Sequence, residues 1–369
     1  MVSFVTCGGS DCTATVGQAA GLCYRSHNAA FWKRALSLLL TALTAAAVSA
    51  LLTRAMIPWL QARGAVATEN DRTMHSGVVP KGGGLPLLIS VVAVTSAYHS
   101  LTALTPPLLV ALVALAALSW RDDVSPLPAL VRFPVHLGAA ALFVMSLPGD
   151  VTVFQGWLPF ALDRALAILV LTWMMNLYNF MDGINGIAGA ETVAIAGGYV
   201  LIGVTAATAL SYLPLAAALV GASAGFLIWN AREQALVFLG DVGSVPLGFL
   251  TGALMIDLAT KGYWAAALIL PSYFLADATI TLLRRLACGE KVWEAHKSHF
   301  YQRAAQGYGR HIPVVAWVSY ANLLLVYWAV EFQHANMMWA AIALAAAIIV
   351  PLLLLFERIG KSRPPTTGR

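Results

Sequence analysis

The chain has 369 residues, 59% of them hydrophobic and only 11% charged, against roughly 25% charge in a soluble domain. These figures exclude a soluble globular enzyme and point to an integral membrane protein, whose length counts spans rather than domains. The net charge of +5 suits loops beside an anionic leaflet, and no basic stripe with aromatic platforms supports nucleic-acid binding.

Residues Met1 to Asn28 are rich in Gly, Ser and Thr and have no helical period. No early apolar core marks them as a signal peptide. They read as part of a disordered extension over residues 1–32, followed by a membrane domain over 33–357 and a cytoplasmic tail over 358–369. Cys7, Cys12 and Cys23 lie in that extension without metal-ligand spacing, and Cys288 is isolated. Apolar runs follow at about Ala35 to Leu60, Leu85 to Leu104, Pro106 to Trp120, Phe133 to Leu147, Ala165 to Met181 and Thr192 to Leu210. Further runs lie at Leu213 to Asn230, Val245 to Ala259, Tyr263 to Leu283, Val314 to Phe332 and Met337 to Phe356. The expected fold is therefore all-α and polytopic, with ten or eleven transmembrane helices. The loop Pro148 to Asp163 mixes apolar and turn residues and could form a short hairpin.

Eleven spans put the termini on opposite sides. With the N-terminus outside, seventeen of the 22 basic residues fall on the inner side or toward it. Arg25, Lys33, Arg34, Arg164 and Lys261 fall outside. The excess of basic residues on the cytoplasmic side of membrane proteins favours this orientation. Every polar cluster then lies on the inner face.

The first cluster is Arg72-Thr73-Met74-His75 with Lys81-Gly82-Gly83-Gly84, where a glycine-rich backbone beside a lysine can cradle a phosphate. A flexible loop is the competing reading. The second is Asp122-Asp123, with Arg132 ten residues on; paired carboxylates at a membrane boundary repel unless a cation or proton intervenes. A solvated loop beside Arg121 would also explain them. The third is Asn176-Leu177-Tyr178-Asn179-Phe180-Met181-Asp182-Gly183-Ile184-Asn185-Gly186, extending to Gly189. On a helix, Asn176, Asn179 and Asp182 recur every three residues on one face, and such an oxygen-rich face suits magnesium, which shares a phosphate substrate. The alternative is a polar cap and turn.

The fourth cluster is Phe238-Leu239-Gly240-Asp241-Val242-Gly243-Ser244, an aspartate bracketed by glycines, with a helix expected to begin near Ser244. The fifth is His296-Lys297-Ser298-His299-Phe300-Tyr301-Gln302-Arg303. If helical, His296, His299 and Arg303 share a face and make an anion clamp; a solvated amphipathic loop competes. Asp277, with Arg284 two turns on, reads as a structural pair.

At these five motifs the chain resembles the polyprenyl-phosphate N-acetylhexosamine-1-phosphate transferase superfamily, glycosyltransferase family 4, over roughly Ala35 to Phe356. Within it the chain is most similar to the bacterial initiating sugar-1-phosphate transferases. The resemblance implies a multi-pass protein of the bacterial inner membrane with a cytoplasmic-face active site. Its cofactor would be magnesium, with manganese as substitute, and its substrates a UDP-sugar and undecaprenyl phosphate. The reaction moves a sugar 1-phosphate to the lipid phosphate, releases UMP and starts lipid-linked O-antigen or related polysaccharide synthesis. The donor would be UDP-N-acetylglucosamine or a related 6-deoxy sugar, and a homodimer is compatible.

By position, the resemblance makes Asp241 and Asn179 metal contacts and Asp122, Asp123 and Asp182 catalytic. Arg72, His75, Lys81, Asn176, Asn185, His296, His299 and Arg303 become substrate contacts. His136 stands where many relatives have glutamine. The triple-histidine run of the muramoyl-pentapeptide branch is absent, since Lys297 and Ser298 separate the histidines, which argues against that branch. A transporter is the alternative from another class, but acids at helix ends on one side speak against a midplane site.

Overall fold

The computed structural model describes residues 16–63, 66–67, 79–99, 104–206, 209–291, 296–332 and 338–362. Its elements are α1 (Val16–Ala62), β1 (Val66–Ala67), β2 (Val79–Pro80), α2 (Gly84–His99), α3 (Pro106–Val124), α4 (Ala129–Met145) and α5 (Phe160–Met181). There follow α6 (Ile187–Thr205), α7 (Leu213–Asn230), α8 (Asp241–Thr260), α9 (Trp264–Ile269), α10 (Ser272–Ala287), α11 (Phe300–Tyr308), α12 (Ile312–Glu331) and α13 (Met338–Lys361). Seven of these, α1, α5 to α8, α12 and α13, are long and apolar enough to cross a membrane, and α2 and α4 are shorter apolar helices. The protein is an all-α multi-pass membrane protein, and each expected span overlaps a helix.

Helix α8 is the axis of the bundle. Every residue from Val242 to Ala259 is buried. Small residues let its neighbours approach: a Cβ on Gly248 would stand 2.6 Å from the Met174 carbonyl oxygen of α5. Close approach through small residues is the way membrane helices gain contact, since lipid tails offer no hydrophobic drive between them. The same device joins α7 to α1. A Cβ on Gly221 would lie 1.9 Å from the Ala42 carbonyl oxygen, and one on Gly225 2.2 Å from that of Ala46. Ser49 Oγ donates to the Ala222 carbonyl at 2.7 Å, and Trp229 Nε1 to that of Ala50 at 2.8 Å.

Four expectations need correction. The run Tyr263 to Leu283 is not one helix: α9 ends at Ile269 and α10 begins at Ser272, with Pro271 at its N-cap, where the missing N–H and fixed φ break the ladder. The stretch read as a disordered extension is helical from Val16 onward. It holds four alanines and no proline, and extending an existing helix is far easier than nucleating one. Met1 to residue 15 lie outside the described residues, as do 363–369 of the expected tail. No strand forms between Pro148 and Asp163. That loop is tied down instead by Asp163, which accepts from the Val153 and Phe154 N–H groups, and by Arg164, which donates to the Pro148 and Val151 carbonyls.

The fourth correction concerns where polar groups lie. Asp257, near the far end of α8, accepts from Tyr199 Oη and from the Ser211 N–H at 2.9 Å. Glu191 of α6 is fully buried and accepts from Asn322 Nδ2 of α12 at 2.7 Å. Polar clusters are thus not confined to one end. Composition could not reveal these, because single polar residues in apolar runs carry no pattern.

The α1–α7 contact leads to a prediction. Gly221→Ala forces a methyl against the α1 backbone and should cost about 1–3 kcal/mol. Thermal unfolding in detergent should show a lowered midpoint; an unchanged one would contradict the packing.

Candidate active site

The site is built on the N-terminus of α8. Gly240 has φ +75° and Asp241 is the first helical residue, so the helix starts three residues before the expected Ser244. The reason is an external cap. Asp123, at the end of α3, accepts from the Asp241 N–H at 3.0 Å and the Val242 N–H at 2.9 Å. A carboxylate that binds the exposed N–H groups of a helix start also meets the positive end of its dipole.

A short backbone ladder holds the same turn from the other side. Phe238 N donates to the Pro80 carbonyl at 2.9 Å, Gly83 N to that of Phe238 at 2.9 Å, and Gly84 N to that of Leu239 at 2.8 Å. The Lys81-Gly82-Gly83-Gly84 run therefore does not cradle a phosphate with its Gly83 and Gly84 amides, which are already bonded. Its glycines serve close approach: a Cβ on Gly84 would fall 2.1 Å from Gly243 Cα.

Around this turn the expected carboxylates converge. Asp122 accepts from Arg132 Nη1 at 2.8 Å and from the Leu127 N–H. The same Arg132 nitrogen lies 3.5 Å from Asp241 Oδ2. Asn179 Nδ2 donates to Asp241 Oδ1 at 2.8 Å and to Ser244 Oγ at 3.2 Å. Asp182, the C-cap of α5, stands close enough to feel these groups. Burial raises its carboxyl well above the usual range, and the Asp241 and Asp123 carboxylates add to the rise while Lys81 opposes it. Four carboxylates thus face two cations, Lys81 and Arg132. Asp122 is matched by Arg132 and Asp123 by two N–H groups; Asp241 shares Arg132 with Asp122, and Asp182 has no hydrogen-bond partner among the described residues.

This donor set fits magnesium. Asp241 and Asp182 supply carboxylate oxygens, and rotation of the Asn179 amide would present its Oδ1. Among the described residues no three His, Cys, Asp or Glu side chains stand ready to hold an ion unaided. Magnesium characteristically takes one or two carboxylates and completes its shell with water and substrate phosphate.

Other expected residues are placed differently. Asn176 Nδ2 is turned back to the Thr172 carbonyl at 2.7 Å, so of the expected face Asn179 bonds Asp241 and Asp182 lies within its electrostatic reach. Asn185 is not at the site: its Nδ2 donates to the Arg232 and Glu233 carbonyls at 2.7 and 3.2 Å. It anchors the loop in which Glu233 accepts from the His311 N–H at 2.9 Å. Burial pushes the Glu233 carboxyl up, but the N–H groups of His311 and Ile312 and the Arg310 guanidinium outweigh it and hold it below the usual range. Arg72 and His75 lie outside the described residues.

The last motif is also reorganised. His299 is the N-cap of α11 and His296 precedes the helix, so the expected helical face does not form. The two imidazoles still meet, with ring centroids 4.8 Å apart and 28° between planes. Arg303 instead points to Glu357 of α13 at 3.9 Å, a carboxylate it shares with Arg284 at 3.6 Å and Lys361 at 3.2 Å. The clamp of His296, His299 and Arg303 is therefore not assembled. Asp277 does not pair with Arg284; it accepts from His299 Nδ1, from the Phe300 and Tyr301 N–H groups and from Tyr273 Oη. Tyr301 Oη in turn donates to the Phe180 carbonyl at 2.8 Å, docking this loop against the Asp182 turn. Sequence reasoning gave Arg132 no role of its own, although its ten-residue spacing from Asp122 was visible.

Residues 105–259, which carry the Asp122-Asp123, Asn179, Asp182 and Asp241 motifs, match the family model described as glycosyl transferase family 4. The chain is 28% identical over 264 residues to a probable undecaprenyl-phosphate N-acetylglucosaminyl 1-phosphate transferase of Bacillus subtilis, covering 65% of this chain and 69% of that one. It is 26% identical over 389 aligned residues to a decaprenyl-phosphate N-acetylglucosaminephosphotransferase of Mycobacterium tuberculosis, covering 93% and 95%. A phospho-N-acetylmuramoyl-pentapeptide-transferase of Chlamydia pneumoniae is 28% identical over 249 residues, 57% of this chain and 67% of its own.

The external cap is testable on stability alone. Asp123→Ala removes both acceptors at the start of α8 and should cost about 0.5–2 kcal/mol, while Asp123→Asn keeps an acceptor and should lose less. Equal thermal midpoints for Asp123→Ala and the unaltered protein would refute the capping role.

Proposed function

Because the chain belongs to the polyprenyl-phosphate N-acetylhexosamine-1-phosphate transferase superfamily, we propose that it transfers an N-acetylamino-sugar 1-phosphate from a UDP-sugar to undecaprenyl phosphate, releasing UMP. The observation that carries this is the meeting of Asn179, Asp182 and Asp241 with Arg132 and Lys81, drawn from segments up to 160 positions apart. Excess carboxylate beside fixed cations suits a cation–pyrophosphate unit. The preponderance of Lys and Arg in the loops on this side supports a cytoplasmic-face site, where a soluble donor is available.

Magnesium bound at Asp241, Asn179 and Asp182 would supply charge neutralisation to the donor diphosphate. The chain's own residues do the rest. Arg132 and Lys81 hold phosphate oxygens in place; Asp123 fixes Asp241 by capping its helix. A lipid phosphate oxygen forms a bond to the β-phosphorus of the donor, and the bond from that phosphorus to the bridging oxygen breaks, with the electron pair leaving on UMP. Phosphoryl transfers of this kind rely chiefly on positioning and charge stabilisation. The lipid monoester is mostly ionised near neutral pH, its second pKa being about 6, so a strong base is not required. Both oxygens of Asp123 are engaged by backbone N–H groups. Among the described residues Asp182 has no hydrogen-bond partner, which leaves its carboxyl oxygens available to a metal.

The test is magnesium-dependent UMP release by purified protein given undecaprenyl phosphate and a panel of UDP-sugars. Asp241→Asn should reduce it by at least about 100-fold, as expected for a group that acts through the metal, without loss of the folded state. Near-normal turnover by that variant would remove the metal role.

The raised Asp182 carboxyl gives a second expectation with a defined sign. In the metal-free protein Asp182 retains its proton above the ordinary carboxylate range, and magnesium must displace it. Calorimetry in buffers of differing ionisation enthalpy should detect proton release on magnesium binding. The stabilisation by magnesium should be larger near pH 8 than near pH 6, because less proton competes. Asp182→Asn should lessen the proton release.

A further inference from the structure

Asp277 lies in α10, more than thirty positions beyond the Asp241 motif, and no described cation pairs with it. It is 0% exposed and still collects five hydrogen bonds. The donors are His299 Nδ1 at 3.1 Å, the Phe300 N–H at 3.1 Å, the Tyr301 N–H at 3.0 Å, Tyr273 Oη at 3.1 Å and Thr281 Oγ1 at 3.4 Å. Two of these cap α11. The imidazole bond is not needed for the cap, and it fixes the ring: Nδ1 carries the hydrogen that the carboxylate accepts, so in the neutral ring Nε2 is an acceptor.

That second nitrogen is anomalous. His299 is 3% exposed, and among the described residues its buried Nε2 has no hydrogen-bond partner. A buried polar atom left unmatched costs about 1–3 kcal/mol. The faces of the ring are covered. Phe180 lies at 6.4 Å and 30°, His296 at 4.8 Å and 28°, and Tyr301 at 5.7 Å and 28°. What the ring has left to offer is its Nε2 edge. Phe180 belongs to the last turn of α5, beside Asp182, so the ring lies next to the segment that carries that carboxylate.

We infer that Asp277 is a positioning residue, which holds the His299 imidazole with Nδ1 engaged and Nε2 aimed at an N–H or O–H group of the sugar-nucleotide donor. The inference rests on the donor reading given above and names a contact within it. The donor is favoured over the lipid because His299 sits in the loop between α10 and α11. Exposed apolar side chains that flank the acidic site in sequence belong to α3 and α4, where Val124 is 44% and Leu130 88% exposed. No bond to His299 forms or breaks; the ring recognises and orients.

The test is a double-mutant cycle with the full-length protein in detergent. Asp277→Asn is isosteric; with its NH₂ in the Oδ1 position it faces the ring, still accepts from the Tyr301 N–H through the remaining oxygen, and gives up the Phe300 N–H bond. Where its amide NH₂ faces the ring, Nδ1 must become the acceptor and the hydrogen moves to Nε2, as in the triad variant in which asparagine replaces the orienting aspartate. The KM for UDP-sugar should rise about 10- to 100-fold, the range for losing a group that orients a functional imidazole, while the KM for undecaprenyl phosphate stays constant. In a His299→Gln background the Asp277→Asn change should have no further effect on the donor KM. Additive effects, or equal changes in both KM values, would assign Asp277 to the helix cap alone and overturn the inference. Should Asp277→Asn fail to fold, His299→Asn decides the matter: it keeps a donor toward Asp277 but cannot reach the Nε2 position. It should therefore raise the donor KM, and a wild-type value overturns the inference. Absence of UMP release by the unaltered protein would remove the function reading and this inference with it, whereas release with an additive cycle removes this inference alone.

Discussion

The structure depends on how the first turn of α8 is held. Helix starts expose N–H groups that need partners, and one at a membrane boundary cannot rely on water for all of them. Here Asp123 reaches from α3 to supply two acceptors, and the ladder between residues 80–84 and 238–239 fixes the preceding strand-like segment. Asp241 is therefore not on a mobile loop. It is the first residue of the most buried helix in the bundle, with its backbone pinned from two directions. Asn179 and Arg132 then act on a side chain whose position is already set.

This arrangement divides labour among groups of the same chemistry. Adjacent in sequence, Asp122 and Asp123 point to different partners: one to an arginine, the other to a helix end. Neither is a spare charge. Asp241 has only a share of Arg132 and Asp182 has no hydrogen-bond partner among the described residues; repulsion from Asp241 and Asp123 raises the Asp182 carboxyl beyond the effect of burial. A site with four carboxylates and two fixed cations is poorly balanced by itself and better balanced with a divalent cation and a phosphate. A similar partition occurs on the other side. Glu357 gathers Arg284, Arg303 and Lys361 and takes Arg303 away from the histidines.

How much of this was legible in the sequence follows from the kind of signal each feature leaves. Long apolar runs fix helices, so the spans were readable, including those that α2 and α4 complete with only 16 and 17 residues. The acidic and amide motifs were readable too, because polar residues clustered beside apolar runs have few structural explanations. Pairing between remote segments was not. Nothing in Lys81-Gly82-Gly83-Gly84 announces that its amides bond Phe238 and Leu239; glycines that cradle phosphate and glycines that permit backbone contact look the same. The helical period placed His296, His299 and Arg303 on one face, but the helix begins only at Phe300, because Asp277 caps it there. A cap supplied from another helix leaves no local trace.

The buried polar groups outside the site bear on why the scaffold is so fixed. Glu191 with Asn322 ties α6 to α12 deep in the bundle, and Asp257 with Tyr199 and Ser211 ties the far end of α8 to α6 and the start of α7. Hydrogen bonds of this kind between membrane helices contribute modestly, about 0.6 kcal/mol on average. Their value lies elsewhere: a carboxylate or amide that lost its partner in such a place would be costly, so a slip in the register of the helices is penalised. The register of α8 relative to α6 is thus set at the end opposite the site. With Asp257 sixteen residues from Asp241, about 24 Å along the helix, a rigid rod carries that constraint to the acidic end. The precision of the Asp241 environment is therefore a property of the whole bundle, while recognition is left to the loops that border it.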